Sequence, residues 1–161
     1  MQLHLFAMNR GLMHEPIHPR KVLPHGECFL FVDEVLSIDT RRIVASRAIP
    51  LQEPWTNAHF PGDPLVPGVL LIEGMTQTCG ILARSLGPKD GSAVGVLAAV
   101  DRARFFRPVK PGTTIVYSAE LDVRAGSLFR FDAAVHVGED MVAKAKISLS
   151  LGQHKPTVGE V

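Results

Sequence analysis

The sequence holds 161 residues, 46% of them apolar, which fits one domain with a sizeable core and excludes a disordered chain. Seventeen basic against sixteen acidic residues leave a formal net charge of +1, which argues against a general polyanion binder and so against nucleic acid or an anionic membrane as partner. Two cysteines, Cys28 and Cys79, are too few for a disulfide framework, and a reducing, cytoplasmic setting is expected.

Residues 1–22 carry His4, Asn9, Arg10, His14, Glu15, His18, Arg20 and Lys21 between short apolar pieces, so they lack the apolar core of a secretion signal and read as an N-terminal extension, partly ordered at most. His14-Glu15-Pro16-Ile17-His18 has the spacing of a zinc-binding helix, but Pro16 within it and Pro19 after it oppose that helix, and no metal is expected. The domain proper is read over 23–151, with a loose tail over 152–161.

Two Val-, Ile- and Phe-rich segments, Cys28 to Ile38 and Arg42 to Leu51, flank the polar Asp39-Thr40-Arg41 and predict a hairpin. A helix is expected from Pro67, which suits a helix start, to Gly87-Pro88, where a left-handed Gly and a Pro would end it. It is apolar on nearly every side, and Glu73, Gln77 and three glycines in the stretch from Val66 to Leu86 argue against a membrane span, so a sheet should wrap it. Further strands are expected over Ala93–Val100, Arg102–Val109, Thr113–Val123, Ser127–Val137 and Met141–Leu151, set apart by Gly- and Pro-bearing turns. The order is α+β: an antiparallel sheet folded around one long helix.

Three features carry chemistry. Glu73 lies among Leu70, Leu71, Ile72 and Met75, surroundings that favour a protonated carboxyl able to act as a general acid, and Gln77 one turn on could orient it. A lone Glu near a helix start is otherwise explained by the helix dipole alone. His59 precedes Phe60-Pro61-Gly62-Asp63-Pro64-Leu65-Val66-Pro67-Gly68-Val69, a restricted loop that delivers the imidazole beside the helix start. The N–H groups of Gly68 and Val69, unpaired within the helix and backed by its dipole, suit an oxygen that gains negative charge. An imidazole base, a carboxylic acid and an oxyanion donor are what is needed to remove a proton alpha to a carbonyl and expel a beta-hydroxyl. No Walker-type or G-x-G-x-x-G loop is present.

The run His59, Pro61, Gly62, Pro64, Pro67, Gly68, Val69, Leu70, Glu73 and Gln77 resembles the signature of the 3-hydroxyacyl-[acyl-carrier-protein] dehydratases of the FabZ type. Leu23-Pro24-His25 with Phe29-Leu30-Phe31-Val32-Asp33, and Val100-Asp101-Arg102-Ala103-Arg104-Phe105 with Arg107-Pro108-Val109 and Pro111-Gly112, are similar to two further motifs of that family. The resemblance covers about 23 to 112 by motif and the remaining strands by pattern. It implies a hot-dog fold, a homodimer or a trimer of dimers, and active sites at the dimer interface with histidine and carboxylate from different protomers. It further implies His59 as the base at C2, Glu73 as the acid at the leaving hydroxyl, the Gly68 N–H on the thioester carbonyl, and Val69, Phe60 and Gln77 against substrate. No cofactor is implied, because the substrate is a thioester on the phosphopantetheine arm of acyl carrier protein.

The sequence departs from the pattern at Cys28, where the family usually has Pro, and at the aliphatic Val96 and Leu97, where several members have an aromatic. The related isomerising branch, of the FabA type, uses Asp where this chain has Glu73, which favours dehydration alone, although Gly62-Asp63-Pro64 resembles that branch. Arg102, Arg104, Arg107 and Lys110 form a basic run that is either a solvated strand face or a landing surface for an acidic carrier protein. A thioesterase on the same fold and a non-catalytic acyl-thioester-binding protein are the alternatives. Release of free thiol would mark the first, and the second is weakened by His59, Gly68 and Glu73 occurring together.

Overall fold

The computed structural model describes residues 17–88 and 93–153. A helical turn, α1 (Pro19–Val22), leads into the hairpin β1 (Glu34–Ile38) and β2 (Arg42–Ala48), the long helix α2 (Gly68–Leu86), and then β3 (Ala93–Phe105), β4 (Thr114–Ala125), β5 (Leu128–Val137) and β6 (Asp140–Gln153). The six strands form one antiparallel sheet in the order β1-β2-β4-β5-β6-β3. Helix α2 packs against β2 through β6, so the sheet curls round it as expected.

The core follows a period of two along the strands. Ile43 and Ala45 of β2, Ile115, Tyr117 and Ala119 of β4, Phe129, Phe131 and Ala133 of β5, and Ala143, Ala145, Ile147 and Leu149 of β6 face the helix and are buried. From α2 they receive Leu71, Met75, Ile81 and Leu82. The centre is close-packed: a Cβ added at Gly74 would lie 2.0 Å from the Tyr117 Oη, so only glycine lets the ring lie against the helix backbone.

Three expectations are corrected. The first strand begins at Glu34, not Cys28, because Glu27–Phe29 is a 3-10 turn and the main chain of Phe29 and Phe31 bonds to the Gln77 side chain of α2 instead of a strand. The two strands expected over 93–109 are one, ending at Phe105, since register shifts between Leu97 and Ala99 and between Asp101 and Arg104 keep both halves on β6. Gly87 ends the helix in an extended conformation, φ −85°, with its N–H on the Arg84 carbonyl; a Cβ there would lie 3.3 Å from Leu151. Within the stretch read as an extension, Pro19 is buried and Ile17 and Val22 pack against the core. The His14-to-His18 spacing and the tail from 154 on lie wholly or partly outside the described residues.

Among the described residues, strand β3 is an edge of the sheet, and it carries exposed Val96, Leu97 and Val100 along a row of main-chain groups with no strand beyond them. No helix among the described residues is long and apolar enough to cross a membrane.

Candidate active site

The loop ahead of α2 is built by its prolines and glycines. Phe60-Pro61-Gly62-Asp63 closes on itself, Phe60 and Asp63 each donating an N–H to the other's carbonyl, at 3.4 and 3.2 Å. Gly62 takes φ +83°, the left-handed value this turn requires after Pro61. The loop then folds back so that Leu65 N–H donates to the His59 carbonyl at 2.8 Å, and the next residue, Val66, donates to Val109.

This arrangement sets the imidazole. His59 Nδ1 lies 3.1 Å from the Leu65 carbonyl oxygen, which can only accept, so Nδ1 carries the hydrogen and Nε2 keeps its lone pair. The ring is half-buried and stacks on Phe60 at 4.1 Å between centroids. Phe60 itself is 54% exposed and Val69 69% exposed, so both stand free to meet a ligand or a second chain.

Helix α2 starts without a side-chain cap. Pro67 occupies the N-cap position, and its carbonyl accepts from the N–H groups of Leu70 and Leu71. The N–H groups of Gly68 and Val69 precede any acceptor that the helix can supply. Gly68 also lies under the Phe105 ring, where a Cβ would come within 2.9 Å of Cε1, so glycine keeps this helix start open beneath an aromatic roof.

Glu73 occupies the second turn of α2, with the Gln77 contact that the sequence suggested and a histidine that it did not. Gln77 Nε2 donates to Glu73 Oε1 at 2.9 Å, and His25 Nε2 lies 3.6 Å from the same oxygen. No polar partner holds Oε2 among the described residues. These groups line a cleft of about 280 Å³ that includes His25, Phe29, Thr76 and the aliphatic β3 residues Val94, Val96 and Leu97. Its walls suit a narrow apolar chain, with the carboxyl on one side.

Gln77 lines the same cleft and orients Glu73, as its place one turn on suggested. It is 1% exposed, donates from Nε2 to both the Phe29 carbonyl and Glu73, and accepts the Phe31 N–H at Oε1. Both amide hydrogens are spent within the chain, so Gln77 is a clamp that holds Glu73 and the segment crossing over it.

Among the described residues, His59 does not line the cleft that holds Glu73, and no hydrogen bond or ion pair joins the two. The basic run is likewise divided. Arg107 pairs with Asp140 at 2.7 Å and Lys110 with Asp63 at 2.9 Å, which neutralises both locally, while Arg102 and Arg104 form no ion pair among the described residues. Arg102 adopts φ +53° at a β3 bulge, which interrupts the side-to-side alternation of a regular strand.

Two contributors were missed by sequence reasoning. Arg47 faces the core at 7% exposure, where it pairs with Glu53, donates to the Leu30 carbonyl and lies over the Phe31 ring. Its signal was a cation at an inward position of β2, in step with Ile43 and Ala45. His25, named above only as part of a motif, lies 3.6 Å from Glu73 Oε1. Cys79 offers no nucleophile: burial pushes its thiol well up, and it packs in the core.

The FabA-like domain family matches residues 23–146. A 3-hydroxyacyl-[acyl-carrier-protein] dehydratase FabZ of Syntrophobacter fumaroxidans is 35% identical over 133 residues, covering 83% of this chain and 90% of that protein. The FabZ of Thiobacillus denitrificans is 36% identical over 132 residues, covering 80% and 91%. Among solved structures, the dehydratase heterocomplex ApeI:P from Xenorhabdus doucetiae superimposes with a TM-score of 0.72 at 15% identity, covering 88% of this chain and 93% of that one. A hypothetical thioesterase protein with coenzyme A from Streptococcus pneumoniae gives 0.59 at 15% identity, covering 76% and 87%. Those two likenesses speak to the fold alone.

Proposed function

The chain belongs to the FabA-like family and, within it, to the FabZ-type 3-hydroxyacyl-[acyl-carrier-protein] dehydratases, and from that premise we propose how its residues divide the reaction. As a hydro-lyase with this hot-dog fold, it removes water from 3-hydroxyacyl thioesters on acyl carrier protein in fatty-acid synthesis. His59 Nε2 takes the C2 proton. The bond from C3 to its hydroxyl breaks as Glu73 gives that oxygen a proton, and the products are a trans-2-enoyl thioester and water. The N–H groups of Gly68 and Val69 polarise the C1 carbonyl while charge builds on it. The thioester carbonyl acidifies C2, so the reaction calls for no metal or redox group.

The observation that carries this reading is the His59 Nδ1 contact to the Leu65 carbonyl, which leaves Nε2 as the base. The Glu73 oxygens divide in the same sense. Oε1 is held by Gln77, so the transferable proton belongs on Oε2.

We assign the complete site to two copies of the chain. The separation of His59 from the Glu73 cleft supports this, as does the long exposed edge of β3 with Val96, Leu97 and Val100. A second β3 edge would pair the free main chain and cover those side chains. The acyl carrier protein is placed against Arg102 and Arg104.

The test follows hydration of a 2-enoyl thioester by loss of its conjugated absorbance, with wild type, His59→Ala and Glu73→Gln. General acid–base groups contribute about 10²- to 10⁴-fold, so each variant should lose activity on that scale. Equal rates in all three would overturn the assignment, and release of free thiol in the same assay would mark thioester hydrolysis instead.

A further inference from the structure

His25 presents two observations that the reaction as described does not use. Its Nε2 lies 3.6 Å from Glu73 Oε1, too long for a hydrogen bond yet directed at the carboxyl. Its Nδ1 is buried with no hydrogen-bond partner among the described residues. A hydrogen on Nδ1 would be a buried donor without an acceptor, whereas a hydrogen on Nε2 faces a carboxyl oxygen. The tautomer is therefore set: Nδ1 bare, Nε2 carrying the hydrogen toward Glu73. The ring is held in that pose by stacking on Phe29, 6.0 Å between centroids, and Phe29 is in turn fixed by the Gln77 bond to its carbonyl.

We propose that His25 is a positioning residue for the acid step, a neutral donor that closes on Glu73 Oε1 as the carboxyl becomes a carboxylate. The inference rests on Glu73 being the acid. When Oε2 passes its proton to the leaving hydroxyl, the negative charge spreads to Oε1, where the Gln77 amide already donates. A second donor waiting just beyond bonding distance gains more from the anion than from the neutral acid, so it favours the transition state over the resting state. No proton is exchanged by His25 in this scheme. Its Nε2 hydrogen stays in place, and the proton that leaves Glu73 is recovered from solvent after product departs. Arg84 also lines the cleft and donates to the Ala93 carbonyl at 3.0 Å.

The experiment measures kcat and KM for enoyl thioester hydration in the intact protein with His25→Phe, His25→Gln, Glu73→Gln and the double variant His25→Phe/Glu73→Gln, each with its melting temperature. His25→Phe keeps a flat ring on Phe29 but offers no hydrogen; kcat should fall about 10- to 100-fold, the worth of a hydrogen bond to a charged group, with KM and melting temperature nearly unchanged. His25→Gln returns an N–H at the position of Nε2 and should recover most of the loss. In the double variant residue 73 bears no charge, so His25→Phe should add nothing to the loss from Glu73→Gln. Undiminished kcat in His25→Phe, equal losses in the Phe and Gln variants, or fully additive losses in the double variant would overturn the proposal. If Glu73→Gln itself is fully active, the acid assignment fails; if it is impaired while His25→Phe is not, only the role of His25 fails.

Discussion

Replacing Gln77 by Met tests whether one side chain fastens both the crossing segment and the acid. The two side chains are close in volume, so packing is retained while the polar contacts go. The Phe31 N–H, on a residue 7% exposed, would lose its acceptor and stay buried, at about 1–3 kcal/mol. Phe29 is 47% exposed, so water can replace Gln77 at its carbonyl, and that loss is the ordinary net value of about 1 kcal/mol. Together the variant should lose about 2–4 kcal/mol of stability. With a urea slope of about 2 kcal/mol per molar, the unfolding midpoint should fall by about 1–2 M. Turnover should fall as well, because Glu73 Oε1 loses its 2.9 Å donor; about 10-fold or more in kcat is expected, measured below the start of the unfolding transition. A midpoint within about 0.2 M of wild type together with full kcat would refute the clamp.

Gly74→Ala sets two effects against each other: alanine favours a helix by about 1 kcal/mol, but its Cβ would lie 2.0 Å from the Tyr117 Oη and 2.2 Å from Cζ, in a core where Tyr117 is 1% exposed. The clash should win by about 2 kcal/mol, seen as a lower melting temperature, and a more stable variant would refute the close packing. Arg102→Glu/Arg104→Glu should weaken turnover of carrier-bound substrate, with a salt-dependent rise in KM of about 10-fold, while turnover of a short pantetheine thioester is unchanged. Equal turnover of the carrier-bound substrate by both proteins would leave only a solvated strand face.

Local rules found what local rules can reach. Pro67 and Gly87 bracket α2 because helix ends are written within a few residues, and Glu73 meets Gln77 because residues four apart share a helix face. The His59 loop was legible for the same reason: Pro61 and Gly62 dictate a tight turn at that place in the chain. The first strand misled because Cys28 to Asp33 has strand composition, yet its main chain takes partners from a helix side chain. Asp101 read as a break between strands, whereas a bulge between Asp101 and Arg104 keeps the strand whole and β6 is long enough to pair on both sides.

The contacts that complete the surroundings of Glu73 came from elsewhere in the chain. His25 reaches Glu73, and Gln77 reaches Phe29 and Phe31, only after α2 is laid across the sheet and the segment before β1 is drawn over it. Nothing in the residue pattern around position 25 distinguishes a histidine facing a carboxyl from one facing water. The stacked Phe29, the buried Nδ1 and the 3.6 Å approach make that distinction in space. The same holds for Glu73 itself. Apolar neighbours along the helix suggested a carboxyl in low dielectric with Gln77 to orient it; the Gln77 bond is present, and His25 stands 3.6 Å from the same oxygen. A hydrogen already bonded to Oε1 and a second one close by are placed where an anion at residue 73 would gain from them.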